Sequence, residues 1–260
     1  LPGAERRARR RVRDPEAIYR VDVDDGDPTL GPADAPVTIV FFADFECPFS
    51  ARTFAALEEL RARRPEQVRV VFRMRPDPRH PNAERAARAA LAAHELGAFE
   101  PMAAGLFASW DDLDAERIDA LARRAGLAEE PFRRALEGER VGERLRRDRA
   151  AGDRLEMHGT PYLAVNGRLE RGSRSIDQLR ALSRDALERA RAAARGADGG
   201  SGGDLYRRLV AGGATAPVYL EPGSKRVDPD AVTDGVHRIY DVPVPDDAPA
   251  RVPGAAPARG

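Results

Sequence analysis

Residues 37–42 restrict the fold of this chain more than any other segment, because they form an unbroken apolar and β-branched run, Val-Thr-Ile-Val-Phe-Phe. A strand with one face in water alternates apolar and polar residues, whereas a strand covered on both faces does not. The run therefore predicts a central β-strand packed on both faces. A Cys47-Pro48 step and a helical pattern follow it directly.

The other strand patterns indicate how a sheet is built around this strand. They lie at residues 18–23, 68–72 and 162–165, and Asn166-Gly167 predicts a hairpin turn into residues 168–170. A strand, a helix and a second strand in succession imply parallel pairing through a crossover. The pattern therefore predicts an α/β fold.

Helical spacing of apolar residues covers most of the remaining chain. It marks the segment after Cys47, a block from about 82 to 152, and a last helix that includes Leu179. Breaks in the block are expected at Gly97, Gly126 and Gly138. Because the block lies between two strands, it predicts a helical subdomain inserted into the sheet.

Composition excludes several classes of function. Of the 260 residues, 42% are apolar, which is enough to bury a core, and the 43 basic and 43 acidic residues cancel. Net neutrality gives no reason to expect a nucleic acid or an anionic membrane as a partner. No apolar run approaches the length of a membrane span. A single cysteine can form neither an internal disulfide nor a cysteine-based zinc site. The four histidines show no metal-ligand spacing, so no metal site is expected.

The two ends of the chain predict appendages to one domain. Residues 1–15 are rich in arginine and poor in apolar residues, which predicts a disordered arm before a domain at 16–196. Residues 197–260 contain a GGSGG linker, and 239–257 repeat nine of the 19 residues at 18–36. The repeat predicts the lead-in to a second, similar domain, with convergence of proline-rich linkers as the alternative.

Cys47 is the residue with the clearest chemical potential. It stands between the buried strand and the following helix, where unpaired N–H groups and the helix dipole stabilise an anion. We therefore expect its pKa to lie below the free value of about 8.5. Pro48 fits the first helical turn, since its missing N–H would have no partner there. The alternative for any lone cysteine is a small buried apolar residue.

Four motifs in this order resemble the DsbA-like branch of the thioredoxin superfamily. The resemblance covers roughly residues 16–190 and includes the helical insertion. The motifs are Gly-Pro-Ala-Asp-Ala-Pro-Val-Thr-Ile-Val at 31–40, Asp-Phe-Glu-Cys-Pro-Phe-Ser at 44–50, Arg-His-Pro-Asn-Ala at 79–83 and Gly-Thr-Pro at 159–161.

The resemblance implies a thioredoxin fold with an inserted α-helical subdomain and thiol–disulfide exchange on protein thiols and disulfides. Cys47 matches the nucleophile, with Pro48 and Phe49 beside it. Pro161 matches a cis-proline next to the sulfur, and Thr160 would present its main chain to an extended substrate. The family also implies export to an oxidising compartment such as the periplasm. No bound cofactor is expected.

Ser50 stands where the family has its second, resolving cysteine. A serine can hydrogen-bond the Cys47 sulfur and tune the thiolate, but it cannot form an internal disulfide. Three interpretations remain open. Cys47 acts as a monothiol, with glutathione or a substrate thiol as the co-substrate; the domain is a catalytically degenerate binding module; or Ser50 is an engineered change that traps mixed disulfides. His158, three residues before Pro161, is a further candidate to approach the sulfur.

Overall fold

Eight helices and five strands make up the part of the chain that a computed structural model describes, residues 13–195 and 202–220. The strands are β1 (Thr29–Leu30), β2 (Val37–Ala43), β3 (Val68–Met74), β4 (Tyr162–Val165) and β5 (Arg168–Arg171). The helices are α1 (Pro48–Arg63), α2 (Ala83–Glu95), α3 (Phe99–Ala108), α4 (Ala115–Arg124), α5 (Glu129–Glu137), α6 (Glu139–Arg154), α7 (Ile176–Arg195) and α8 (Gly202–Val210).

The strands form one mixed sheet in the order β1-β3-β2-β4-β5. β2 is the middle strand, parallel to β3 and antiparallel to β4. All seven of its residues are buried. The expected central strand and the α/β thioredoxin-type fold are thereby confirmed.

Alternate residues of β2 point into two different cores. Ile39 and Phe41 pack in a large core with residues of α1 to α7, here called the helical core. Val40 and Phe42 pack in a smaller one, here called the second core. Each face of β2 is therefore covered by its own set of elements, which is why the sequence of the strand shows no alternation.

The second core extends the folded domain beyond the boundary expected at residue 196. Tyr206 and Val210 of α8 are buried there together with Tyr19 and Val21. The Tyr206 hydroxyl also donates to the Val21 carbonyl at 2.7 Å. Residues 202–220 therefore belong to the fold, rather than to the linker that composition predicts.

The strand expected at 18–23 does not form a ladder. Ile18 and Tyr19 make only isolated bridges, to Arg168 and Ala214. The alternation of this segment reflects burial of every second side chain against the sheet.

The first and last described residues also lie together. Arg13 bridges Tyr219, and the Asp14 amide donates to the Val218 carbonyl at 2.9 Å. Part of the arm expected to be disordered is therefore bound to the domain. The remaining expectations for the ends, residues 1–12, the start of the linker at 199–201 and the repeat at 239–257, lie outside the described residues.

Asn166 sets the register of β2 against β4. Its side chain accepts a hydrogen bond from the Thr38 amide at 2.8 Å, and its own amide donates to the Thr38 carbonyl at 2.9 Å. The predicted Asn166-Gly167 turn is present, with φ of 44° and 87°. Both residues are therefore in the left-handed region that this type of hairpin requires.

A buried charge network fixes the helical insertion to the sheet. Arg73 of β3 and Asp148 of α6 are both almost inaccessible, with their charged atoms 3.5 Å apart, and Arg73 also pairs with Asp27 at 2.6 Å. Asp148 accepts the Met74 amide at 2.9 Å. The carboxylate thus joins α6 to the end of β3, next to the residues that follow that strand.

The pKa of Asp148 gives this network a measurable signature. Burial raises that pKa from 3.8 to about 6, against the opposing effect of Arg73. At a pH between those two pKa values, Asp148 is protonated in the folded protein and ionised in the unfolded chain. Protonation therefore stabilises the fold at low pH, and this stabilisation is lost as the pH rises through about 6. Asp148→Asn keeps an acceptor for Met74 and removes the titration.

When the pH is lowered from 7 to 4.5, we expect the free energy of unfolding of wild type to rise relative to that of Asp148→Asn by on the order of 1–3 kcal/mol. Urea unfolding at several pH values measures it. The matched control is Asp177→Asn, whose side chain is 85% exposed. A pH profile for Asp148→Asn that parallels wild type would contradict this role.

Candidate functional site

Cys47 caps the N-terminus of α1. Its carbonyl accepts the Ala51 amide at 3.0 Å, its backbone is extended, and Pro48 is the first helical residue. The first turn contains no acidic residue. The sulfur therefore lies at the positive end of the helix dipole, as the sequence predicts. The residue is only 5% exposed, so it is less open to solvent than a surface thiol.

The Thr160 carbonyl lies against the sulfur, 3.5 Å from Cys47 Sγ. The peptide bond between Thr160 and Pro161 is cis. The contact follows from the sheet, because Phe42 of β2 pairs with Tyr162 of β4 in antiparallel register. The loop that leaves β2 and the loop that enters β4 therefore meet at the same edge.

Ser50 makes a different contact from the one expected. It is fully buried, and its hydroxyl accepts the Asp44 amide at 3.4 Å. The hydroxyl therefore supports the turn that leads into Cys47. The structure gives this hydroxyl a backbone partner in place of the expected sulfur.

Phe49 and His158 lie at the surface around the site. The Phe49 ring is 51% exposed and lies under the Arg52 guanidinium, which is 4.7 Å from the ring centroid. The His158 side chain is also exposed, and its backbone amide donates to the Tyr162 hydroxyl at 3.3 Å. Phe49 thus supplies apolar surface next to Cys47. His158 contacts Tyr162 through its backbone amide, and its side chain faces solvent.

Asp44 is a site residue whose role the sequence does not reveal. Its carboxylate is inaccessible to solvent, yet it accepts the amides of Glu46 at 2.9 Å and Asp77 at 2.8 Å, and lies 2.7 Å from His80 Nδ1. Burial raises the pKa of Asp44, and these hydrogen bonds oppose the rise. The carboxylate therefore ties the Cys47 turn to the loop after β3.

That loop also contains an exposed ion pair. Arg79 donates to both oxygens of Asp77, at 3.0 and 2.7 Å, and this contact lowers the pKa of Asp77 to about 2. The Asp77 carboxylate in turn raises the pKa of Arg79. The only sequence signal for this arrangement is the Arg79-His80 pair in the third motif.

A groove of about 220 Å³ lies next to Thr160. Its walls are the loop at 75–78, the C-terminal part of α6 and Gly159-Thr160. Within residues 13–195 and 202–220, no cluster of three or more His, Cys, Asp or Glu side chains is arranged to hold a metal ion. No helix in those ranges is both long and apolar enough to cross a membrane.

A central strand that leads into a cysteine-capped helix, with an X-Pro loop against the sulfur, defines a class of thiol-bearing α/β domains. A family model described as Thioredoxin matches residues 24–183 of the chain. The chain belongs to the thioredoxin family.

Solved structures place it near the DsbA-like members. A thioredoxin-like oxidoreductase from Silicibacter pomeroyi is 32% identical, with a TM-score of 0.57 over 65% of this chain and 95% of the other. The thiol-disulfide exchange protein alpha-DsbA2 from Wolbachia pipientis shares the fold at 20% identity, with a TM-score of 0.58 over 62% of this chain and 88% of that one. The fold is therefore that of DsbA-like oxidoreductases, and it supports thiol–disulfide exchange in general.

The curated relatives are much longer than the segment that matches. The protein named Na(+)/H(+) antiporter NhaA 3 of Salinispora tropica is 40% identical over 190 residues, which are 72% of this chain and 29% of that protein. The antiporter NhaA 1 of Mycolicibacterium gilvum is 38% identical over 56% of this chain and 24% of its own length. This chain therefore spans less than a third of these relatives.

The Asp44 carboxylate predicts a stability effect that is local to the site. Asp44→Ala leaves the partly buried amides of Glu46 and Asp77 without an acceptor, so we expect a loss of about 1–3 kcal/mol in the free energy of unfolding. Asp44→Asn retains one acceptor oxygen and should lose less. Urea denaturation measures both, with exposed Asp34→Ala as the control; equal stability of all three variants would show that the carboxylate does not hold the loop.

Proposed function

We propose that this domain carries out thiol–disulfide exchange on protein substrates with Cys47 as its only covalent residue. The observation that carries the proposal is the position of Cys47 Sγ at the N-terminus of α1, 3.5 Å from the Thr160 carbonyl. A thiolate is stabilised at such a helix end. The family and the DsbA-like fold support the same reaction.

In the first step, the Cys47 thiolate attacks one sulfur of a substrate disulfide. A bond forms between Cys47 and that sulfur, the substrate disulfide breaks, and the other sulfur leaves as a thiolate. The Thr160-Pro161 segment offers main-chain groups to an extended substrate beside the sulfur. The exposed Phe49 ring offers an apolar contact to the same substrate.

In the second step, a thiolate from elsewhere must release Cys47. Ser50 cannot do so, since its buried hydroxyl bonds the Asp44 amide and forms no disulfide. A thiolate attacks the substrate sulfur of the mixed disulfide, and Cys47 leaves with the electron pair of the broken bond. When the attacking thiol belongs to the substrate itself, the product is a rearranged disulfide.

The fold also favours an exported location. A periplasmic thioredoxin-like protein from Salmonella enterica serovar Typhimurium has the same fold, with a TM-score of 0.57 at 22% identity. Disulfide exchange on proteins suits an oxidising compartment. We therefore propose that the domain acts outside the cytoplasm.

The reactivity of Cys47 provides the direct test. We expect exchange with a small aromatic disulfide to be faster in the folded protein than in urea, although Cys47 is only 5% exposed. The unfolded protein is the matched control, as it has the same thiol without the helix. Slower exchange in the folded state would overturn the proposal.

Restoring a second thiol tests the role of position 50. Positions three apart around a helix N-terminus are close enough for a disulfide, so Ser50→Cys should form an internal bond to Cys47 on mild oxidation. Mass spectrometry should show the loss of two hydrogens and no intermolecular adduct. The control is Ser183→Cys on α7, which adds a second thiol away from Cys47. Mixed adducts in both variants would show that position 50 cannot serve as a resolving site.

The curated relatives favour a second candidate, a thioredoxin-type module that serves a transporter. The matched segment is a minor part of proteins named as Na(+)/H(+) antiporters. In this alternative the fold binds a partner protein without turnover. Exchange no faster in the folded wild-type protein than in urea would favour this candidate.

A further inference from the structure

The exposed face of α1 begins beside Cys47 with an aromatic ring that carries a cation. Phe49, two residues after Cys47, is 51% exposed, and Arg52 is exposed as well. The Arg52 guanidinium lies 4.7 Å from the centroid of the Phe49 ring. An aromatic ring is apolar, and its face attracts a positive charge. The two side chains, here called the Phe49–Arg52 platform, therefore combine an apolar surface with a cation.

The contact with the ring places the charge of Arg52 near the N-terminus of α1. Side chains on a helix project back toward its N-terminus, and residues three apart lie on one face. Because the guanidinium reaches the ring of Phe49, its charge lies over the first turn of the helix, which Cys47 caps. The cation is therefore at the end of the helix where the thiol stands.

Arg52 differs from the other arginines of α1 in its partners. Arg61 pairs with Glu58 at 2.5 Å, and Arg63 pairs with Glu59 at 2.6 Å. In the part of the chain that the structure describes, no carboxylate forms an ion pair with Arg52, and its guanidinium contacts the ring of Phe49. The charge of Arg52 is therefore available to a bound substrate.

The acidic neighbour of the thiol, in contrast, is already bound. Glu46 directly precedes Cys47, and its two carboxylate oxygens accept the backbone and side-chain amides of Asn82 at 2.7 and 3.1 Å. The first turn of α1 contains no acidic residue. A negatively charged substrate group that approaches the platform therefore meets the cation of Arg52, while the charge of Glu46 is held at the start of α2.

An extended substrate brings alternate side chains to this surface. In an extended chain, residues two apart project to the same side and are about 6.5 Å apart. When the reacting cysteine of the substrate points to Cys47, the side chains two residues away point to the same protein surface. A glutamate there can lay its methylene groups on the Phe49 ring and its carboxylate on Arg52.

We propose that the Phe49–Arg52 platform makes this domain select protein disulfides that have an acidic side chain two residues from the reacting cysteine. The inference rests on the proposed exchange reaction at Cys47. Arg52 is the specificity-determining residue, and Phe49 supports its guanidinium.

The test compares three synthetic peptides that differ only in charge. Each has the form X-Ala-Cys-Ala-X with blocked ends, where X is Glu, Gln or Lys, and its cysteine is joined by a disulfide to 2-thiopyridine. The Cys47 thiolate attacks the peptide sulfur, a disulfide between Cys47 and the peptide forms, and the pyridinethiolate leaves and takes up a proton. The absorbance of the released 2-thiopyridone gives the rate. Each rate is divided by the rate of the same peptide with β-mercaptoethanol, which removes differences in intrinsic reactivity.

At low ionic strength, we expect the normalised rate of the Glu peptide to exceed that of the Lys peptide by about threefold to tenfold. Arg52→Gln should reduce this preference to within about twofold of unity, whereas Arg52→Lys should keep most of it because the charge is retained. Arg63→Gln is the matched control, since Arg63 is also exposed, at 57%, but lies about 16 Å further along the helix. It should leave the preference unchanged.

Three outcomes would overturn the inference. One is equal normalised rates of the three peptides with the wild-type protein. Another is a preference that persists in Arg52→Gln, because the selection would then come from other residues. The third is an equal fall in Arg63→Gln, which would reveal an effect of net charge alone. If none of the peptides releases 2-thiopyridone, the proposed exchange function itself fails.

Discussion

The antiparallel pairing of β2 with β4 is the constraint on which the site depends. Phe42 lies opposite Tyr162, so the turn to Cys47 and the segment through Thr160 leave the sheet at one edge. Asn166 holds the same pair of strands at the other end, through its bonds to Thr38. A shift of one residue would turn every β2 side chain to the opposite core. The contact between sulfur and carbonyl is therefore fixed by packing far from the thiol.

Strong local patterns in the sequence predicted much of the fold. The unalternating run at 37–42 indicated a strand covered on both faces, and Asn166-Gly167 indicated the hairpin. Gly97 and Gly126 mark helix ends, and both have positive φ. Each of these signals is contained in a few neighbouring residues.

The misjudged segments are those whose structure comes from distant partners. The alternation at 18–23 is real, but Tyr19 and Val21 are buried by α8 and not by a strand ladder. β1 has only two residues, too few to show a period. Tyr206 is buried against Val21, 185 residues earlier in the chain, and composition alone cannot reveal such a contact.

The same division applies to the site. Cys47, Pro48 and Thr160 are set by short motifs, so the sequence could name them. Asp44 and His80 meet across 36 residues, and only the fold joins them. Ser50 was expected to hydrogen-bond the Cys47 sulfur, but its hydroxyl accepts the Asp44 amide. Position 50 therefore contributes a contact to the turn into Cys47, which a motif comparison alone could not reveal.

The bridge between Arg13 and Tyr219 bears on the site as well as on the fold. It holds two segments that are far apart in the sequence side by side. The bridge also lies near the approach to Thr160, as Arg13 donates to the carbonyls of Leu155 and Glu156. These carbonyls precede Thr160 by only a few residues, so the contacts of Arg13 brace the loop that leads to the sulfur.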